Sequence, residues 1–275
     1  MHTGHTPGWN HPLPARLHKP VFGALLAGIA VDLTRAGLGL EWPADWIWLG
    51  TAPWLLAALS LLVGLARRLP LQNVAFAAVG VLVGAAAVEL LNARTGLPLG
   101  WRRADVGAGG ALARMPWFAP WLWLTLLLAA RGLARLALKP HRKLQFYGFW
   151  VMGLTTLLVL LAVLVVAPVA QIAGWWRAEA TDRWWSWGWY HQPWLTLPAW
   201  GVTSLLLLAF STPWLLNKQP VKQPTDLHPL AIWVALLSWL LGRQVIAGLW
   251  PAAVGSGLIL GFSLLLVRHG VGRWK

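Results

Sequence analysis

Two carboxyl groups stand inside apolar stretches of the chain: Asp32 in VFGALLAGIAVDLTRAG and Glu89 in VAFAAVGVLVGAAAVELL. An ionisable side chain in such a setting is costly unless it is paired or meets water, so each marks either a site of proton or charge chemistry or a position that requires a partner. Arg35 follows Asp32 by three residues, which puts both on one helix face and makes an ion pair the bland alternative to a functional role for Asp32. The other chemistry-bearing residues are tryptophans. Residues 167–200, APVAQIAGWWRAEATDRWWSWGWYHQPWLTLPAW, lie between two apolar runs and gather Trp175, Trp176, Trp184, Trp185, Trp187 and Trp189. Indole rings at this density fit a cavity for a long apolar ligand, or for a cation bound on ring faces. Anchoring of a long lipid-immersed loop is the competing explanation.

The elements that must carry these residues are membrane helices. Hydrophobic residues make up 58% and charged residues 11% of 275, far from the balance of a soluble domain. Windows 21–40, 46–65, 74–91, 149–167 and 194–216 meet the length and apolarity of a spanning helix. Windows 115–130, 230–250 and 252–267 are less clean, the first being short and extended by an Arg-dotted segment, the second holding Arg243. The expected fold is therefore all-α, a polytopic integral membrane bundle of eight spans with seven as the fallback, forming one transmembrane domain over 1–275. Residues 1–20 read as a polar tail without a removable signal, 168–193 as a Trp-rich outer loop, and 217–228 as a polar linker. The Gly and Ala of 74–91 predict close approach of another helix.

Charge distribution sets the expected orientation. With the N-terminus in the cytoplasm of a bacterial inner membrane, 14 of the 22 basic residues but only one of the eight acids, Asp226, fall on inner segments. That is the positive-inside bias. The net charge of +14 is then a topology signal and an attraction for anionic lipid rather than for nucleic acid. Arg102 and Arg103 sit on the disfavoured outer side and predict a local partner, Asp105 or a lipid phosphate. The chain has no cysteine, and its eight histidines fall in tails, loops or helix ends, so no metal site is expected and haem or chlorophyll ligation is disfavoured; His191, beside Tyr190, is a minor candidate.

A spacing recurs along the chain. Glu89 is followed seven residues later by Gly96 and then by Pro116-Trp117; Ala167 is followed seven later by Gly174 and then by Pro193-Trp194; Asp32 leads to Gly39 and Pro53-Trp54. Tandem units of this kind predict parallel helical hairpins. They also predict that positions 32, 89 and 167 point into one region.

Three of these segments resemble a known family. ELLNARTGLPLG, APVAQIAGWW and WYHQPWLTLPAW, within residues 85–215, are similar in order and spacing to the carotenoid-biosynthesis membrane proteins called CruF, the carotenoid hydratases that include bisanhydrobacterioruberin hydratase. Glu89, Thr95, Gly96, Pro98 and Gly100 match the first motif, Pro168, Gly174 and Trp176 the second, and Tyr190, Pro193 and Trp200 the third. The sequence departs from the pattern where Ala167 stands in place of an Asp and Thr196 in place of an Asn.

The resemblance implies addition of water to the terminal isoprenoid double bond of a carotene, giving a tertiary alcohol without a cofactor. Such a reaction needs an acid to protonate the alkene, stabilisation of a tertiary cation, and a base for the attacking water. Glu89, kept protonated by apolar surroundings, suits the acid, and Asp32 or an ordered water has to serve as the base because Ala167 cannot. Trp117, Trp121, Trp176, Trp187, Trp189, Tyr190, Trp194, Thr196 and Trp200 are the candidate substrate-binding residues. The expected partners are a carotenoid or other long isoprenoid and membrane lipid. A second reading is a relative without catalysis that binds pigment, quinone or lipid as a subunit of a larger membrane complex. A third is a small transporter using Asp32, Glu89 and Arg243 as intramembrane charges.

Overall fold

Each apolar run becomes an α-helix. In chain order these are α1 (Pro12–Gly37), α2 (Ala52–Ala66), α3 (Leu71–Thr95), α4 (Ala119–Ala137), α5 (Tyr147–Ile172), α6 (Thr196–Ser211), α7 (His228–Ile246) and α8 (Trp250–Gly272). The computed structural model describes residues 12–100, 102–178, 188–190, 192–194, 196–216 and 225–272. The eight helices follow the expected spans in order. Five of them, α1, α3, α5, α7 and α8, are long and apolar enough to cross a membrane, and α2 is a sixth if joined to the 3-10 helix Ala44–Gly50, from which it bends by 45°.

The other two differ for physical reasons. Helix α4 carries Arg131 and Arg135, yet nearly all of its side chains are buried because α2, α3, α5, α7 and α8 surround it. A helix wrapped in protein need not present an apolar surface all round. Arg131 donates to the Leu215 carbonyl at 3.3 Å. Helix α6 has 16 residues and is continued by a 3-10 turn, Thr212–Leu215. It packs closely on α3: a Cβ at Gly80 would strike the ring of Phe210, and one at Gly84 would come 2.6 Å from Leu207. The small residues of α3 therefore do what their pattern predicts.

The helix ends repeat more regularly than the sequence spacing suggests. Gly39, Gly96 and Gly174 follow α1, α3 and α5 with φ of +67°, +73° and +62°, and Gly248 does the same after α7 with +70°. A left-handed residue there closes the last helical turn without a Cβ penalty. The returning helices α2, α4, α6 and α8 each hold a proline in the first turn, at Pro53, Pro120, Pro198 and Pro251, where a missing N–H costs nothing. Pro53 thus matches Pro120, and not Pro116 as the spacing predicts. Pro116 and Pro193 match each other, each ending a two-residue strand three residues before a helix.

Short strands tie the loops together. β1 (Arg102–Ala104) pairs antiparallel with β4 (Trp176–Ala178), β2 (Ala111–Leu112) with β3 (Met115–Pro116), and β5 (Gly188–Trp189) with β6 (Gln192–Pro193). The β1–β4 pair joins the loop after α3 to the loop after α5 and sets Ala104 opposite Trp176. Gly107 allows this, since a Cβ there would collide with the Ala173 carbonyl. At the opposite end of the bundle, Arg68 pairs with Asp226 at 3.2 Å, and His228 packs on His18 with ring centroids 4.1 Å apart.

Candidate functional site

The ELLNARTGLPLG segment folds back on its own helix. Gly96 ends α3, and the buried Asn92 grips the returning loop, its Nδ2 donating to the Gly100 carbonyl at 2.9 Å and its Oδ1 accepting from the Leu99 N–H at 2.7 Å. Thr95 adds a bond to the Leu91 carbonyl at 2.8 Å. The turn delivers Arg102 onto Glu89. Arg102 Nη2 lies 3.2 Å from both Oε1 and Oε2 of Glu89, and the indole N–H of Trp123 donates to Oε1 at 2.9 Å. Glu89 is 6% exposed and Arg102 7%.

Tryptophans complete this centre. The Arg102 guanidinium sits 5.0 Å from the ring centroid of Trp176 and 5.2 Å from that of Trp200, and Trp200 stacks on Trp123 at 4.3 Å with planes 17° apart. Glu89, Arg102, Trp176 and Trp200, with Asn92, Met115, Ala119 and Leu122, wall a cavity with room for about one water molecule. Thr196 caps the neighbouring loop, its methyl standing 3.1 Å from where a Gly100 Cβ would lie, and its hydroxyl bonds to Gln192 and to the Pro193 carbonyl.

Asp32 forms a separate centre. It is 1% exposed; Trp239 donates its N–H to Oδ2 at 2.8 Å, Trp42 donates to Oδ1 at 3.4 Å, and Arg35 and Arg243 lie 3.4 and 3.6 Å away. The i,i+3 pair with Arg35 is present, joined by a second arginine from α7. Positions 32 and 89 therefore face inward, but they do not share a chamber: neither Asp32 nor Ala167 walls the Glu89 cavity. An aromatic seam runs between the two centres. Trp239 meets Trp54 and Trp175 at 5.6 Å each, Trp175 meets Phe118 at 5.5 Å, and Phe118 stacks on Trp176 at 6.1 Å.

A family model described as carotenoid biosynthesis protein matches residues 49–264. The chain belongs to this family. Neither a curated protein nor a solved structure matches it. In this carotenoid biosynthesis protein the matched residues contain the whole Glu89 centre, while Asp32, Arg35 and Trp42 precede them.

The structure gathers some of the candidate residues of the carotenoid biosynthesis protein and separates others. Trp176 and Trp200 wall the cavity beside Glu89, and Thr196 packs on the adjoining loop. Trp117 rests against Phe118, and Trp121 is half-buried against the core; neither lines the cavity. Trp189, Tyr190 and Trp194 form their own cluster, with Trp189 donating to the Leu164 carbonyl at 2.9 Å. Trp187 and His191 lie outside the described residues. Sequence reasoning missed Trp123 and did not foresee that the carboxylate Arg102 meets is Glu89. It also left Trp239 unassigned. The signal for Trp123 was present in the run PWLWL, where Trp121 and Trp123 fall on different faces of α4. Among the described residues no cluster of three or more His, Asp or Glu is placed to hold a metal ion.

Proposed function

We propose that the protein binds the acyclic isoprenoid end of a carotenoid at the Glu89 cavity and adds water across its terminal double bond, giving a tertiary alcohol. One observation carries this reading: Glu89 is a buried carboxyl group on an indole-walled hollow that has room for about one water molecule. Among the described residues its Oε1 accepts from Trp123 and Arg102, and its Oε2 from Arg102 alone, so Oε2 has the spare capacity to carry a proton.

Protonated on Oε2, Glu89 gives its hydrogen to the terminal alkene; the π pair forms the new C–H bond and leaves a tertiary cation. Water in the hollow forms the C–O bond, and its surplus proton returns to the Glu89 carboxylate. The balance closes on one side chain acting first as acid and then as base. The carboxylate charge also faces the developing cation in a site closed to bulk water. Trp176 and Trp200 already hold the Arg102 guanidinium on their rings, so their part is to fix the cation that orients Glu89. Asp32, in this reading, fastens α1 to α7 and moves no proton.

The alkene approaches across the apolar wall of Met115, Ala119 and Leu122. Met115 has the unbranched, adaptable side chain that lets such a wall widen. No cofactor enters the reaction, and carotenoid and lipid are the partners. The basic residues at the opposite end of the bundle support a bacterial inner-membrane location with that end and the N-terminus in the cytoplasm.

One observation favours a second reading, pigment binding without turnover: Ala167 stands where the resemblance expects an Asp. Expression in a host that makes lycopene, followed by mass analysis of the extracted pigments, separates the two. A gain of one water supports hydration. Unchanged pigment that co-purifies with the protein supports binding alone, and the absence of both outcomes removes carotenoid chemistry from this cavity.

A further inference from the structure

Two donors on the walls of the Glu89 cavity lack an acceptor among the described residues. Arg102 spends Nη2 on Glu89, but its Nε–H is buried and unpartnered, and so is the indole N–H of Trp200, a residue 2% exposed. Both side chains line the same hollow. Buried donors are almost always satisfied, so two unsatisfied ones around one small cavity mark the place of an acceptor atom. The other polar wall residues do not compete for it. Asn92 is committed to Leu99 and Gly100.

We infer that the cavity is an oxygen site: Arg102 Nε–H and Trp200 Nε1–H together hold one neutral oxygen beside Glu89, so that the site selects isoprenoid ends bearing a tertiary hydroxyl. The inference rests on the reading of Glu89 as the hydrating group and adds to it the residues that hold the oxygen. Before addition the oxygen belongs to water. Once the C–O bond has formed and the surplus proton has passed to Glu89, the same donors hold the alcohol.

The guest must accept from both donors, and it meets a Glu89 that has regained its proton. A hydroxyl oxygen does this with its two lone pairs, taking one N–H bond on each. An alkene end brings no oxygen of its own, so both donors depend on a separately held water, whose immobilisation the alcohol avoids.

The test uses purified full-length protein in detergent and two pigments, lycopene and the tertiary alcohol formed by adding water to one of its ends. Retention after gel filtration is measured over a range of pigment concentrations. The unmodified protein is expected to hold the alcohol about tenfold more tightly than lycopene. Trp200→Phe keeps a ring for Trp123 and Arg102 but has no N–H, so it should bring that preference to about twofold. Arg102→Lys keeps a cation for Glu89 without the Nε donor and should do the same, and it carries the comparison if Trp200→Phe does not fold.

Equal retention of the two pigments by the unmodified protein overturns the inference. So does a preference that survives both substitutions. If that protein nevertheless hydrates lycopene in cells, the functional reading stands and only the oxygen site is lost. If it neither retains nor hydrates either pigment, both fall together.

Discussion

Arg102 Nη2 lies 3.2 Å from each carboxylate oxygen of Glu89, 13 residues earlier in the chain. Both groups are buried, and the pair exists because a strand pairing and a gripped loop bring the guanidinium back to α3. A carboxyl group and a guanidinium removed from water in this way depend on each other far more than either stabilises the protein.

Breaking that pair from one side should therefore be costly. Glu89→Gln or Arg102→Leu alone is expected to lower unfolding free energy by about 3 kcal/mol or more, because each leaves a buried polar partner stranded. The double variant should regain most of the loss. Thermal unfolding in detergent measures the cycle, and strictly additive losses would mean the two groups are not coupled in the membrane protein.

Hydration should follow Glu89 and ignore Asp32. Asp32→Asn loses the carboxylate charge that Arg35, Arg243 and Trp239 share, so its melting temperature should fall, yet product formed per folded protein should match that of the unmodified chain. Glu89→Gln should give no hydrated pigment. Loss of product in Asp32→Asn at equal protein would move Asp32 into the proton chemistry.

Trp123→Phe keeps the ring that stacks on Trp200 and deletes the N–H that holds Glu89 Oε1. A hydrogen bond to a charged group is worth about 1.5–3 kcal/mol, so hydrated product should drop by roughly tenfold to a hundredfold. Trp121→Phe, off the cavity, should leave the rate unchanged. Product accumulation in the lycopene host measures both variants, and equal effects would deny Trp123 a special place.

Met115 tests the route of the alkene. Met115→Phe fills the apolar wall, and overpacking of this kind typically costs about 1–3 kcal/mol. Pigment conversion and co-purification should both be lost. Met115→Leu, close in volume, should preserve them. If the Phe variant still converts pigment, the substrate enters from another side.

The amino-acid sequence by itself determined the bundle. Apolar runs of spanning length become helices wherever they occur, glycine follows α1, α3, α5 and α7, and proline begins the helices that return, all through local backbone physics that needs no partner. It also marked Glu89 and Trp200, because a carboxyl in an apolar run and a motif of Gly, Pro and Trp are visible in one dimension. Tertiary structure alone decided which groups meet. Arg102 reaches Glu89 through a pairing of β1 with β4, and Trp239 reaches Asp32 from 207 residues away. The same packing divided one expected chamber into two centres, since Trp54, Trp175 and Phe118 fill the space between Asp32 and Glu89. Spacing along a helix fixes the face a residue occupies; which neighbour covers that face is set by how eight helices and their loops fill the interior together.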